Sequence, residues 1–127
     1  MSSQRVLVVD DHEDLRTLVT LFLGSRGYEV LEAANGAEAI RTAITADPKF
    51  ILLDLRLTDM SGVEVVRVLR TVSLTARTPI VGWTADDVSE SHREKLLRAG
   101  FIDCLQKSVS FTELETLVEQ FVPKQWH

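Results

Sequence analysis

One cysteine, no long apolar run and no basic cluster set the first limits on this 127-residue chain. A lone thiol, Cys104, cannot close an internal disulfide, which agrees with a reducing compartment. No stretch approaches the ~20 consecutive apolar residues that cross a bilayer. The opening residues MSSQRVLVVDD carry no apolar signal core followed by a small-residue cleavage site. The expectation is a soluble, cytoplasmic protein with no membrane contact. Formal net charge is -5, and no basic run offsets it, which argues against direct nucleic-acid binding. Internal repeats and low-complexity tracts are also missing. What is present is 45% hydrophobic and 26% charged residues, enough for one packed domain. That domain is expected over 1–122, with PKQWH, residues 123–127, as a short loose tail.

Two periodicities alternate along the chain. Val6–Val9 is a continuous apolar run, as in a strand buried on both faces. Leu15, Leu18, Val19 and Phe22 then follow helical spacing toward Gly24 and Gly27. Tyr28–Ala33 reads as a strand, and Glu29 and Glu32 mark it as an edge. Asn35 with Glu38 three residues on predicts a capped helix that faces Ile40, Ala43 and Ile44 inward and stops at Asp47-Pro48. Phe50–Leu53 is another buried strand ending at Asp54, and Val63, Val66 and Leu69 mark a helix after Gly62. Ile80–Trp83 is a fourth strand. Ser89–Ala99 is a helix with a sparse apolar face of Leu96, Leu97 and Ala99. Phe101–Leu105 is a fifth strand, and Ser110 with Glu113 opens a helix bearing Leu114, Leu117, Val118 and Phe121. Five strands alternating with five helices predict an α/β domain: a parallel sheet, helices on both faces, right-handed crossovers.

In such folds the functional crevice lies at the carboxyl ends of the strands. Asp10 and Asp11 end the first strand, Asp54 the third and Thr84 the fourth, while Lys107 follows the fifth. Three carboxylates at one rim repel one another unless a cation joins them. Oxygen-only ligands suit a hard cation, above all Mg²⁺, which keeps waters and pairs with phosphate. Lys107 adds a mobile positive charge for a phosphate oxygen, and Thr84 a hydroxyl donor. Together these groups describe phosphoryl transfer to a carboxylate, giving an acyl phosphate.

The segments VVDD (Val8–Asp11) and LLDLRLTDMSG (Leu52–Gly62), the pair Thr84-Ala85, the turn Ala99-Gly100, and Lys107 resemble the receiver domain of bacterial two-component response regulators. The resemblance covers nearly the whole chain and rests on several unlinked motifs. It implies a single doubly wound (βα)5 flavodoxin-like domain with strand order 2-1-3-4-5. It implies that Asp54 is the phosphoacceptor, with Mg²⁺ bound by Asp11 and Asp54, by Asp10 through water and by the backbone carbonyl of Arg56. Lys107 would hold a phosphoryl oxygen and Thr84 would turn toward it. The implied partners are a histidine kinase or phosphotransfer protein docking near the first helix, and a downstream protein target or C-terminal effector domain. Such a domain is no turnover enzyme on a separate substrate; it catalyses its own aspartyl phosphorylation and slow dephosphorylation.

Three positions depart from the family pattern. Thr58 and Ser108 stand where prolines are usual, and Cys104 occupies the switch position that normally carries Tyr or Phe. These departures motivate an alternative: a receiver-like interaction module acting without phosphorylation. A haloacid-dehalogenase-like hydrolase is disfavoured, because that chemistry needs an acid at position 56, which is Arg. A dinucleotide site is disfavoured because no Gly-x-Gly-x-x-Gly follows the first strand. Simple helix capping by Asp11 or Asp14 is the plain reading of the acids beside the first helix. His12 is expected to begin that helix facing solvent. Arg56 and Asp86 are expected to flank the pocket and pair across its mouth. The weakly held helix Ser89–Ala99 and the segment Phe101–Phe121 are the expected switching surface.

Overall fold

The computed structural model describes residues 4–124. Five parallel strands and five helices alternate: β1 Arg5–Val9, α1 Glu13–Ser25, β2 Glu29–Ala33, α2 Gly36–Ala46, β3 Phe50–Asp54, α3 Gly62–Thr71, β4 Ile80–Thr84, α4 Glu90–Ala99, β5 Asp103–Gln106 and α5 Phe111–Phe121. The sheet order is β2-β1-β3-β4-β5, the doubly wound arrangement expected. Register pairs Val9 with Leu53 and Asp54 with Trp83, so the ends of β1, β3 and β4 lie side by side.

Period-2 alternation splits each central strand between two apolar layers. Leu7, Val9, Ile51, Leu53 and Ile80 face a layer with Ala39 and Ala43 of α2, Val65, Val66 and Leu69 of α3, and Leu96 of α4. Val6, Val8, Phe50, Leu52, Val81 and Trp83 face Val19 and Leu23 of α1 and Leu114 and Val118 of α5. Every residue of β3 and β4 is buried, which explains why those segments read as continuous apolar runs. The edge strand β2 exposes Glu29 and Glu32, as expected.

Four helices begin on side-chain caps. Asn35, Ser61, Ser89 and Ser110 each accept the backbone N–H three residues on. The first helix differs: His12 occupies its cap position without a side-chain cap bond, so neither Asp11 nor Asp14 caps it. Other expectations are corrected. Leu18, Ile44 and Leu97 are exposed rather than inward, while Phe121 is partly exposed and still meets the Phe50 ring at 6.1 Å between centroids. The fifth strand begins at Asp103, because Phe101 is spent on the turn after Gly100, whose φ of 121° closes α4 in a conformation that favours glycine. Arg70 braces that turn, donating to the carbonyls of Gly100, Thr75 and Ala76. Residues 125–127 of the expected tail lie outside the described residues. A groove of about 590 Å³ runs between α3 and α4, lined by Val63, Arg67, His92, Lys95, Leu96, Arg98 and Ala99.

Candidate functional site: an acidic cleft at the carboxyl rim

Asp10 follows β1 directly and is fully buried. Its N–H continues the ladder to Ala33 O at 3.1 Å, and its own carbonyl accepts Arg16 Nη1 at 2.7 Å. Oδ1 takes the His12 N–H at 2.8 Å, a local turn that launches α1. Oδ2 takes two donors, Trp83 Nε1 at 3.1 Å and Lys107 Nζ at 2.9 Å. Asp11, one residue on, is exposed and opens into the cleft.

Asp54 ends β3, also buried. Its Oδ1 accepts the Arg56 N–H at 3.0 Å and its Oδ2 accepts Lys107 Nζ at 3.0 Å. Lys107 thus bridges Asp10 and Asp54, and its backbone N–H donates to Thr84 O at 2.7 Å, anchoring its loop to the end of β4. Thr84 Oγ1 accepts the Asp86 N–H at 3.2 Å, which leaves its hydroxyl hydrogen available. Gly62 admits the chain here: a Cβ on it would lie 2.7 Å from the Asp54 carbonyl oxygen. The loop between them is closed by Gly62 N–H to Leu55 O and Leu57 N–H to Met60 O, and neither bond uses the Arg56 carbonyl. Arg56 and Asp86 do pair across the mouth, at 2.6 Å. Both are solvent-exposed, so the pair contributes little to stability.

These residues surround a cleft of about 210 Å³ lined by Asp11, His12, Asp54, Arg56, Thr84, Ala85, Asp86 and Lys107. Burial raises the Asp54 carboxyl above its ordinary pKa, against the pull of the Arg56 N–H and Lys107 and with a push from Asp10. Burial also works against the Lys107 ammonium, but its bonds to Asp10 and Asp54 outweigh that and hold its pKa up. The two shifts look opposed for one ion pair. They are reconciled because Lys107 serves two acids, whereas Asp54 has only a share of one lysine.

The structure therefore gathers Asp11, Asp54, Arg56, Thr84 and Lys107 around one cleft, with Asp10 beneath it. Cys104 stands apart: it is buried beside Gly82 and Phe101, with burial raising its thiol pKa, and it does not line the cleft. From the sequence, His12 is expected only as the solvent-facing start of α1, and Trp83 has no expected part in the site. The ligand atoms of Asp10, Asp11 and His12 lie within 4.8 Å of one another, so the solvent-facing His12 belongs to the acid cluster. Trp83 reaches Asp10. The signal was the alternation: Asp10 continues the face of Val6 and Val8, and Trp83 shares that face with Val81.

The profile of the response regulator receiver domain matches residues 6–119. The chain belongs to that family. It is 36% identical over 117 residues to the alkaline phosphatase synthesis transcriptional regulatory protein PhoP of Bacillus subtilis, covering 92% of this chain and 48% of that protein. The chain spans about half the length of this relative and of the phosphate regulon regulator PhoB of Pseudomonas aeruginosa. Among solved structures it is similar to the chemotaxis protein CheY4 of Vibrio cholerae, with TM-score 0.88, 30% identity, and coverage of 94% of this chain and 99% of that one. It is also similar to the receiver domain of the sensor histidine kinase PA1611 of Pseudomonas aeruginosa, with TM-score 0.85, 31% identity, and coverage of 97% and 100%. That structure holds a magnesium ion coordinated in its active-site cleft. A receiver domain is a phosphoacceptor in two-component signalling rather than a classical enzyme. Nothing in the cleft or among these relatives favours the alternative of a module that works without phosphorylation.

The residues present fit a divalent cation. Asp10, Asp11 and Asp54 bring three carboxylates to the rim against one lysine, and Arg56 is already paired with Asp86. The surplus negative charge and oxygen donors match a hard cation. Among the described residues no helix is long and apolar enough to cross a membrane.

Proposed function

We propose that Asp54 is the phosphoacceptor of this receiver domain, which occupies 1–122 and works in the cytoplasm. The supporting observation is the bridge of Lys107 between Asp10 and Asp54, at 2.9 and 3.0 Å, at the floor of a cleft open to solvent. An Asp54 carboxylate oxygen attacks the phosphorus of a phosphohistidine on a kinase or phosphotransfer protein. The new O–P bond forms as the P–N bond breaks, and the imidazole leaves with the bonding pair. Burial removes water from Asp54 and makes it a readier nucleophile, while Lys107 keeps it ionised. Lys107 Nζ then turns to an oxygen of the incoming group, and the Thr84 hydroxyl donates to another. Asp11, Asp54 and the Arg56 carbonyl would hold Mg²⁺, with Asp10 acting through water. The cation would neutralise charge on the phosphoryl oxygens. Slow self-hydrolysis reverses the modification when water attacks phosphorus in line. A downstream target or a linked effector domain reads the change.

Incubation with Mg²⁺ and a small acyl phosphate, followed by intact mass, tests this. The wild type should gain one phosphoryl group, Asp54→Ala should gain none, and Lys107→Ala should gain it at least tenfold more slowly. An unmodified wild type, or an Asp54→Ala protein modified to the same extent, overturns the assignment.

A further inference from the structure

Trp83 has the largest fully buried side chain among the described residues, and the chemistry above gives it no part. It sits in the layer between the sheet and helices α1 and α5, where an aliphatic side chain needs no polar partner. An indole placed there must satisfy its N–H. It does so on Oδ2 of Asp10 at 3.1 Å, a charged acceptor and hence a strong one. Asp10 is then held by three donors: His12 N–H on one oxygen, Trp83 Nε1–H and Lys107 Nζ on the other.

These donors differ in stiffness. Lys107 swings on a four-carbon stem and divides its charge between Asp10 and Asp54. The indole is rigid, has two rotatable bonds and is packed on all sides. Trp83 is therefore the fixed donor on Oδ2, which together with the His12 backbone N–H on Oδ1 keeps Asp10 oriented whenever Lys107 turns away. Outer partners of this kind orient the carboxylates around a metal and change its affinity.

Resting on the divalent-cation reading above, we propose that Trp83 is a positioning residue of the cation site: its indole N–H fixes Asp10 and thereby sets the affinity for the metal. The indole N–H also ties the cleft to the layer between the sheet and helices α1 and α5. A phenylalanine fills most of the same space without a donor, so Trp83→Phe removes the proposed contribution selectively.

The test follows the tryptophan indole ¹H–¹⁵N signals of the full chain during a Mg²⁺ titration, with Trp126→Phe separating the two tryptophans. The Trp83 signal should move with the same midpoint as the backbone amides of Asp11 and Thr84. In Trp83→Phe, Mg²⁺ should bind roughly tenfold more weakly, at the low end of the usual loss for an outer partner. A Trp83 signal that stays put while the Asp11 and Thr84 amides titrate overturns this inference and leaves the cation site intact. So does a folded Trp83→Phe protein with Mg²⁺ affinity within twofold of wild type. Amides that ignore Mg²⁺ altogether overturn both this inference and the cation reading. Should Trp83→Phe fail to fold, the wild-type indole titration decides alone.

Discussion

Helices α3 and α4 form a natural controlled pair. Each has ten residues, each starts on a serine whose hydroxyl accepts the third backbone N–H, and each has an acid in its first turn and an arginine in its last. Yet α3 buries Gly62, Val65, Val66 and Leu69, whereas α4 buries Leu96 alone. N-terminal capping and helix-dipole effects are matched, so they cannot make the two helices unequal. The apolar face does: two additional buried aliphatic side chains are worth about 3–6 kcal/mol of transfer free energy. The difference also divides labour. The first residue of α3 packs against the backbone of Asp54, the proposed phosphoacceptor. The fourth helix borders an open groove shared with α3 and follows the loop that leaves β4 after Thr84. It is the element that can shift at low cost.

The largest expected effect separates their cores. Leu69→Ala should cost about 2–5 kcal/mol in urea unfolding, as expected of a fully enclosed leucine. Leu96→Ala, beside the groove, should fall at or below the bottom of that range, and hydrogen exchange of α4 amides should outpace that of α3 amides in the wild type. Equal losses and equal protection would break the contrast. Next comes the attachment to the site. Gly62→Ala would set a Cβ 2.7 Å from the Asp54 carbonyl oxygen and 3.0 Å from Leu55 Cα, both backbone atoms that cannot yield. It should cost about 1–3 kcal/mol and slow phosphorylation. Glu90→Ala, the first residue of α4 and exposed, should change stability by about 0.5 kcal/mol or less.

The smallest effect sharpens the contrast from the cleft. Burial holds the folded-state pKa of Asp54 above its unfolded value. Between the two values the folded protein binds more protons than the unfolded chain, so stability falls as pH rises through that window. Ionised Asp54 is then a net cost at neutral pH. Asp54→Asn should raise the urea midpoint at pH 7 by less than the losses above. The gain should shrink as pH drops below the unfolded carboxylate range. Added exchange protection should appear in α3 and not in α4.

The architecture was legible because the central strands are buried on both faces and so appear as unbroken apolar runs, and because Asn35 and Ser110 announce their helices locally. The acid-lysine rim was legible for a related reason: in a parallel sheet every strand's carboxyl end points the same way, so Asp10, Asp54, Thr84 and Lys107 had to meet. Side-chain direction was less so. Leu18 and Ile44 fit the helical period but lie at the margin of their stripes, and only the packed neighbours decide which margin is wet. The Trp83–Asp10 bond needed knowledge of which layer each strand faces, since 73 residues separate the partners. Arg70 is similar: its three carbonyl acceptors lie in segments that have no periodic signature.

The chain's single thiol has a practical consequence. Cys104 is buried in the edge strand β5, against Gly82 of β4 and in the same apolar layer as Phe101 and Leu96 of α4. A thiol-reactive dye should reach it only when the packing around β5 opens, so the labelling rate acts as a stopwatch for breathing of this edge. The protein carries its own clock, with no second cysteine to confuse the reading.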